Sequence, residues 1–420
     1  MKTFDAIIIG AGVVGCSIAL SLARAGIRSL NVDALPAPGY GSTSHSSAII
    51  RPFYSHTTAC AIAHESRARW LQWPQFLNTK DPLGTARYEE TGGVVLVADG
   101  TEPDYSANIA ALEAVGVSYQ WLSEHDLVQM YPGICLDSFA PPRRIEDNRF
   151  GDANEKRIRK GIWLAACGHV NDPQLAAHNL YIASAAAGGD FMFNTRVAQI
   201  NQDNGMVAGV TLGTGEKISA PVVVNAAGPH SKHINLMAGI SNIETHAQRH
   251  EVAYLQTPAS CREQPGFLVD LDTGIYQRGD GADLVIGSAD PDCDPADVVE
   301  PDNFNSGLTD QWTQQVYRAA LRFPDIAIEN RARGTVGLYD VSKDWIPIYD
   351  RTDLPGYFVA IGTSGNQFKN APVIGDIMTR IITAQDVDNV LLTLPNLQRE
   401  VDLSFYSRLR EPQNTKNVMA

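Results

Sequence analysis

Paired cysteine spacing is missing from this chain. Its six cysteines, Cys16, Cys60, Cys135, Cys167, Cys261 and Cys293, are scattered, and no CxxC pair occurs among them. Scattered thiols argue against a zinc module and a disulfide framework, and they read as reduced side chains in a reducing compartment. A basic balance is missing too: 33 Lys and Arg against 47 Asp and Glu leave a formal charge of -14. Without a basic face nothing displaces the counterions of a phosphate backbone, so no nucleic-acid partner and no metal site are expected. There is no internal repeat and no low-complexity linker. The uncharged run of eighteen residues from Ala6 to Ala23 contains three glycines, and Asp5 stands where a basic flank would precede an export signal. That run is therefore read neither as a membrane span nor as a leader, and the expected location is the cytoplasm.

What is present is an ordinary globular composition, 44% hydrophobic and 19% charged over 420 residues. That length suits about two or three domains. The first thirty-three residues are the most informative. An apolar strand, Phe4 to Ile9, runs into Gly10-x-Gly12-x-x-Gly15, then a helix to Ala25, then Leu30-Asn31-Val32-Asp33. Gly10 allows the turn, Gly12 lets the backbone approach a pyrophosphate, and Gly15 lets the helix pack on its strand. The helix N-terminus offers unpaired N–H groups and the positive end of its dipole to the phosphates. Asp33, eighteen residues past Gly15, can accept hydrogen bonds from ribose hydroxyls. Strand, glycines, helix and acid together predict an adenine dinucleotide site.

Further along, apolar spacing predicts a helix over 59–76, a strand within 88–98, and a helix within 106–130 that carries a Ser123-x-x-Asp126 start signal. Residues 142–160 are charged and turn-rich and read as a surface excursion, either a solvated insertion or a lid or partner contact. A helix is expected over 172–187, strands over 191–200 and 207–212, and a buried strand at Val222–Val224 ending in Ala227-Gly228. Strands at 252–256 and 282–287 and a helix near 309–322 suit a second domain. The strand 357–361, Gly362, and a helix from about Pro372 return the chain to the first sheet.

A strand–GxGxxG opening, a mid-chain Val-Val-Asn-Ala-Ala-Gly strand and a late strand–Gly–helix return together resemble the D-amino acid oxidase and sarcosine oxidase superfamily of FAD enzymes, over nearly the whole chain. The resemblance implies an α/β fold, with a Rossmann-like FAD-binding domain in discontinuous segments (1–90, 150–240, 330–400), an antiparallel-sheet substrate domain (91–149, 241–329) and a tail (401–420). FAD is the implied cofactor, ahead of NAD, since nothing here resembles a nicotinamide subsite. Its implied contacts are Gly10, Gly12, Gly15, Asp33, Ser42, Thr43, His45, Ser46, Val197, Ala227 and Gly228, then the late loop Gly362, Ser364, Gly365, Asn366, Phe368 and Lys369.

By the same resemblance, Arg51 in Ile49-Ile50-Arg51 and Lys369 in Gly365-x-x-Phe368-Lys369 hold the substrate carboxylate. A guanidinium fork and an ammonium suit that task, and they orient the α-carbon towards the flavin. An ordinary ion-pair role for both stays open. Tyr276 and Arg278 fall where relatives line the active site, with a structural role as the alternative. Gly41-Ser42-Thr43-Ser44-His45 resembles a segment whose histidine bonds covalently to the flavin, although Ser44 replaces a tryptophan; a histidine that only neighbours a non-covalent flavin stays open as the alternative. A cysteine linkage is not expected, because the matching position is Gly337. Val285 stands where an oxygen-activating lysine occurs, which implies a slow oxygen reaction or another acceptor, a quinone or a partner subunit. The implied reaction is oxidation of a secondary or tertiary amino acid, N-methyl or cyclic. The alternatives are a D-amino acid dehydrogenase and a flavin-bearing electron-relay subunit.

Overall fold

In the computed structural model, which describes residues 2–258, 266–386 and 390–413, the strand Ala6–Ile9 runs through the middle of a six-stranded sheet. Cys261 and residues 414–420 of the expected tail lie outside the described residues. The strand's side chains alternate between two cores. Ala6 and Ile8 pack with the helices Val13–Arg24 and Ala371–Thr383, while Ile7 and Ile9 face a four-stranded sheet. Cover on both faces is why the strand reads as an unbroken apolar run. The sheet order is Asp190–Met192, Ser29–Val32, Ala6–Ile9, Val222–Asn225, Tyr357–Ile361, Ile348–Arg351. The first five are parallel and the last is an antiparallel edge, so three distant parts of the chain build one sheet. Among the described residues no helix is long and apolar enough to cross a membrane.

A larger sheet lies beside it. Thr245–Gln256 pairs with Asp283–Ser288 and, over ten residues, with Arg333–Ser342. Ile275–Asp280, Phe267–Asp270, Gly93–Ala98, Ile158–Leu164 and Gln120–Ser123 continue it. Neighbours in this sheet are antiparallel with one exception. Phe267–Asp270 runs parallel to Gly93–Ala98, so the sheet is mixed rather than purely antiparallel. The helix Asp310–Arg322 packs Trp312, Val316 and Ala319 on one face with Leu255, Leu268 and Ile286.

Several expectations are corrected here. Ile158–Leu164 and Arg333–Ser342 pair into the large sheet, not with the dinucleotide-binding segments. The first was hidden by Arg159 and Lys160, which point to partners at Asp99, Glu124 and Glu102 while Ile158 and Ile162 are buried. The 191–200 stretch is two strands in different sheets, bent at Asn194 with φ +53°. The helix expected over 59–76 breaks at Gln72 and restarts as Trp73–Leu77, with Pro74 in its first turn. Residues 106–130 hold two helices, Ser106–Val115 and Glu124–Met130, around the strand Gln120–Ser123. Ser123 and Asp126 do form a capping box. Within 142–160, the start is docked: Gln314 accepts from the Ile145 N–H at 2.9 Å, and Arg318 donates to the Arg143 carbonyl at 3.1 Å.

The helix Asp310–Arg322 is held by buried charge. Arg322 reaches Asp270 at 2.8 Å and Asp272 at 3.0 Å, and so secures the turn that leads into the strand of Tyr276. Removing one partner of such a pair leaves buried charge uncompensated. Arg322→Met is expected to lower unfolding free energy by about 3–5 kcal/mol in denaturant titration. A loss below about 1 kcal/mol, the range of exposed pairs, would contradict this account.

Candidate active site

The glycine turn is built by close backbone approach. At Gly10, φ is +114°, and a Cβ would lie 2.3 Å from the Ala226 carbonyl oxygen. At Gly15 a Cβ would lie 2.1 Å from the Gly10 carbonyl oxygen. The helix Val13–Arg24 starts at Gly12 with no side-chain cap of its own, and the Val13 N–H donates to Thr43 Oγ1 at 3.1 Å. Asp33 ends the second strand and accepts from the N–H groups of Ala11 (2.5 Å) and Leu35 (2.8 Å). Burial raises its carboxyl pKa, and those two bonds oppose the rise. Each carboxylate oxygen still has a second lone pair for a sugar hydroxyl. The Thr195 N–H donates to the Asp33 carbonyl at 2.8 Å and brings the strand of Val197 alongside. Ala227 and Gly228 follow Ala226 past the turn, with Gly228 at φ +55°. A helix start whose N-cap residue is a glycine, close glycine contacts and a carboxylate with spare lone pairs fit an adenine dinucleotide.

The strand Arg333–Ser342 then connects everything near the reacting end. A Cβ at Gly337 would lie 2.8 Å from His45 Cβ, so the glycine makes room for the histidine. The Leu338 carbonyl accepts from Ser42 Oγ at 2.6 Å. Asp340 holds the late loop twice: Oδ2 accepts from the Gly362 N–H at 2.6 Å, and its carbonyl accepts from the Ser364 N–H at 2.7 Å. That loop is tightly coiled, with φ of +65°, +47° and +70° at Gly362, Ser364 and Gly365. Left-handed Ser364 is costly and is stabilised by these bonds. His45 Nδ1 lies 3.1 Å from the Gly41 carbonyl. A carbonyl only accepts, so that contact is a hydrogen bond in the tautomer with its proton on Nδ1, and Ser44 Oγ lies 3.2 Å from the same nitrogen.

Arg51 and Lys369 line one cavity with Ser46, Ser47, Tyr276 and Tyr339. Both cations are only 4% exposed. Tyr54 lies between them, its ring centroid 4.9 Å from the Arg51 guanidinium carbon and 5.4 Å from Lys369 Nζ. Lys369 Nζ donates to Tyr54 Oη at 3.0 Å and to the Asn366 carbonyl. Burial, and then the Arg51 charge, pull the Lys369 pKa well below its ordinary value. Burial pushes Tyr54 up to about 12, so its phenol stays neutral. Among the described residues no Asp or Glu lines the cavity; Phe267, Val269 and Ile49 supply apolar wall. Two buried basic side chains lining an acid-free cavity suit an anion.

Other candidates sort by placement. Ser46, Gly365, Asn366 and Phe368 line the cavity, as does Tyr276, whose hydroxyl lies 3.4 Å from Ser47 Oγ. Arg278 is a correction. It is absent from the lining; its Nε donates to the Ser47 carbonyl at 2.9 Å and its Nη1 pairs with Asp280 at 3.2 Å, so it braces the cavity wall. Tyr54, Tyr339 and Ser47 were missed from sequence. Tyr339 is wedged between Gly365, whose Cβ would sit 2.3 Å from its ring, and His250, stacked at 3.9 Å. Burial holds His250 at a pKa of about 3, so it stacks as a neutral ring.

The chain matches the DAO family model, FAD dependent oxidoreductase, over residues 5–381, and belongs to that family. The beta chain of sarcosine oxidase from Rhodobacter capsulatus is 24% identical over 91% of this chain and 85% of its own length. One subunit of opine oxidase from Agrobacterium tumefaciens is 27% identical over 87% and 90%. Among solved structures, L-proline dehydrogenase from P. horikoshii superposes with a TM-score of 0.77 at 20% identity, covering 97% of each chain. Glycine oxidase from Geobacillus kaustophilus gives 0.75 at 19%, covering 98% and 100%. The protein is an FAD-dependent oxidoreductase, and the glycine turn, Asp33 and the late loop are the features here that fit FAD.

Gly15→Ala places a Cβ against backbone that cannot move aside. The variant is expected to purify with its flavin absorption largely lost and a lower Tm. Full flavin content would contradict the role assigned to this contact.

Proposed function

We propose that the protein oxidises the C–N bond of a small secondary or tertiary amino acid, N-methylated or cyclic, whose side chain bears no positive charge. The observation that carries this reading is the pair of buried cations, Arg51 and Lys369, in a cavity whose described lining holds no acid. Arg51 offers a fork to the substrate carboxylate and Lys369 adds a point charge, which together orient the carbon next to nitrogen. Bound FAD supplies the acceptor for the hydride that leaves that carbon. Water hydrolyses the resulting imine. The apolar walls and the neutral phenols of Tyr276 and Tyr339 suit a compact uncharged side chain and have nothing to pair with a guanidinium or second ammonium. Sarcosine and proline, after which two of the relatives are named, are themselves secondary amines.

A second reading concerns the electron acceptor. Two relatives are named as parts of larger oxidases, and Val285, 1% exposed, puts no cation at its position. We take the acceptor to be a quinone or a partner subunit in preference to oxygen, with dye-linked turnover exceeding oxygen-linked turnover. Equal rates with both would remove this reading.

Arg51→Ala is expected to raise KM for sarcosine or L-proline at least about 100-fold, the loss of a charge-assisted pair worth roughly 3 kcal/mol, with FAD retained. D-arginine is expected to turn over far more slowly than either; D-arginine as the preferred substrate would favour the D-amino acid dehydrogenase alternative. His45 is proposed as a covalent anchor through Nε2. With FAD bound, a His45–flavin bond would form at the expense of a flavin C–H bond, whose electron pair would pass to the quinone or partner acceptor and whose proton would go to water. Acid-denatured protein is expected to keep its flavin mass, and His45→Ala to lose it. Flavin released from the denatured wild type would eliminate the linkage and leave His45 as a neighbour of the cofactor.

A further inference from the structure

A secondary amino acid reaches the cavity as a zwitterion, yet its nitrogen gives up a hydride from the adjacent carbon only as the free amine. A proton acceptor is required, and the cavity lining offers few. The groups facing the site are Arg51 and Tyr54 from one segment, Cys167 near them, Asn366 and Lys369 from the late loop, and Tyr276 and Tyr339 from the large sheet. Arginine stays charged. The three phenols and the Cys167 thiol are all pushed up by burial, so none is a base near neutrality. Asn366 is neutral.

Lys369 differs in its geometry. Its Nζ makes two contacts, to Tyr54 Oη at 3.0 Å and to the Asn366 carbonyl. A tetrahedral nitrogen on its carbon stem has three such positions, so one remains for the cavity that Lys369 lines. In the amine form the two N–H groups satisfy these two acceptors, and the third position is a lone pair. In the ammonium form the third N–H requires an anion. Burial beside Arg51 favours the amine until an anion arrives.

We propose that Lys369 accepts the proton of the substrate's ammonium group on binding. The N–H bond of the zwitterion breaks, an N–H bond forms at Nζ, and no electrons change hands. The resulting ammonium pairs with the substrate carboxylate while the substrate nitrogen becomes the free amine. One event thus supplies both the counter-ion and the reactive form. This inference rests on the carboxylate-site reading above.

The test is proton accounting on the holoenzyme with a matched pair of unreactive probes. Isobutyrate has the carboxylate alone; 2-aminoisobutyrate is a zwitterion with no hydrogen on the carbon bearing nitrogen. Calorimetry in buffers of different ionisation enthalpy, scanned from about pH 6 to 9, reads net protons exchanged per ligand bound. Isobutyrate is expected to draw up to about one proton from the buffer above the free-enzyme Lys369 pKa, and 2-aminoisobutyrate close to none. Lys369→Arg keeps a charge that does not titrate, so isobutyrate should still bind but draw no proton. Equal uptake with both probes, or uptake that survives Lys369→Arg, overturns the proposal alone. Failure of both probes to bind wild-type protein overturns the carboxylate-site reading and this proposal with it.

Discussion

Two basic groups held out of water beside the same tyrosine ring set the terms for the rest of the site. Arg51 and Lys369 are each desolvated, and the Arg51 charge adds to the cost of charging Lys369. Such an arrangement persists only if the surroundings keep the side chains from escaping to solvent. The aromatic column does this. Trp70 Nε1 donates to the Lys369 carbonyl at 2.8 Å, and the indole packs against Phe368 at 5.5 Å and Trp73 at 4.2 Å. On the other side Tyr54 is fixed by Lys369 and lies under the Arg51 guanidinium. Arg51 also donates to the Phe53 carbonyl, and the acid-free cavity that both side chains line suits an anion.

The strand Arg333–Ser342 gives that arrangement its geometry. Ten residues of pairing with Thr245–Gln256 make it rigid, and successive residues serve different parts of the site. Gly337 admits His45, the Leu338 carbonyl holds Ser42, Tyr339 lines the cavity, and Asp340 clamps the turn before Lys369. The segment that follows the first sheet and the loop that returns to it are thereby registered against one element of the large sheet. The dinucleotide-binding end and the anion-binding end are therefore coupled through backbone, with little dependence on long flexible side chains.

The dinucleotide cradle was legible in sequence because it depends on local rules. Gly10 and Gly15 must be glycine for steric reasons, and Asp33 follows a strand whose apolar run announces it. The cavity was legible only in part. Arg51 and Lys369 stood out through motif resemblance, but Tyr54, in the irregular segment just after Arg51, carries no spacing signal, and Tyr339 lies on a strand paired with one distant in sequence. Arg278 has the residue type of a substrate contact, yet its guanidinium is spent on the Ser47 carbonyl and Asp280. The strand Ile158–Leu164 was misread because two adjacent charges masked its buried face. In each case the missing information was tertiary: which backbone group a polar side chain finds, and which neighbour a strand finds.

The account stands on a cavity that holds a carboxylate so that the neighbouring C–N carbon meets the cofactor. The most direct measurement is an anaerobic titration of the purified holoenzyme that follows the oxidised flavin band in the visible spectrum. The account predicts that sarcosine or L-proline bleaches the band, and that the same molecules with the carboxylate esterified do not. Bleaching by the esters as readily as by the acids would contradict it, because the buried cations would then have no part in choosing the substrate.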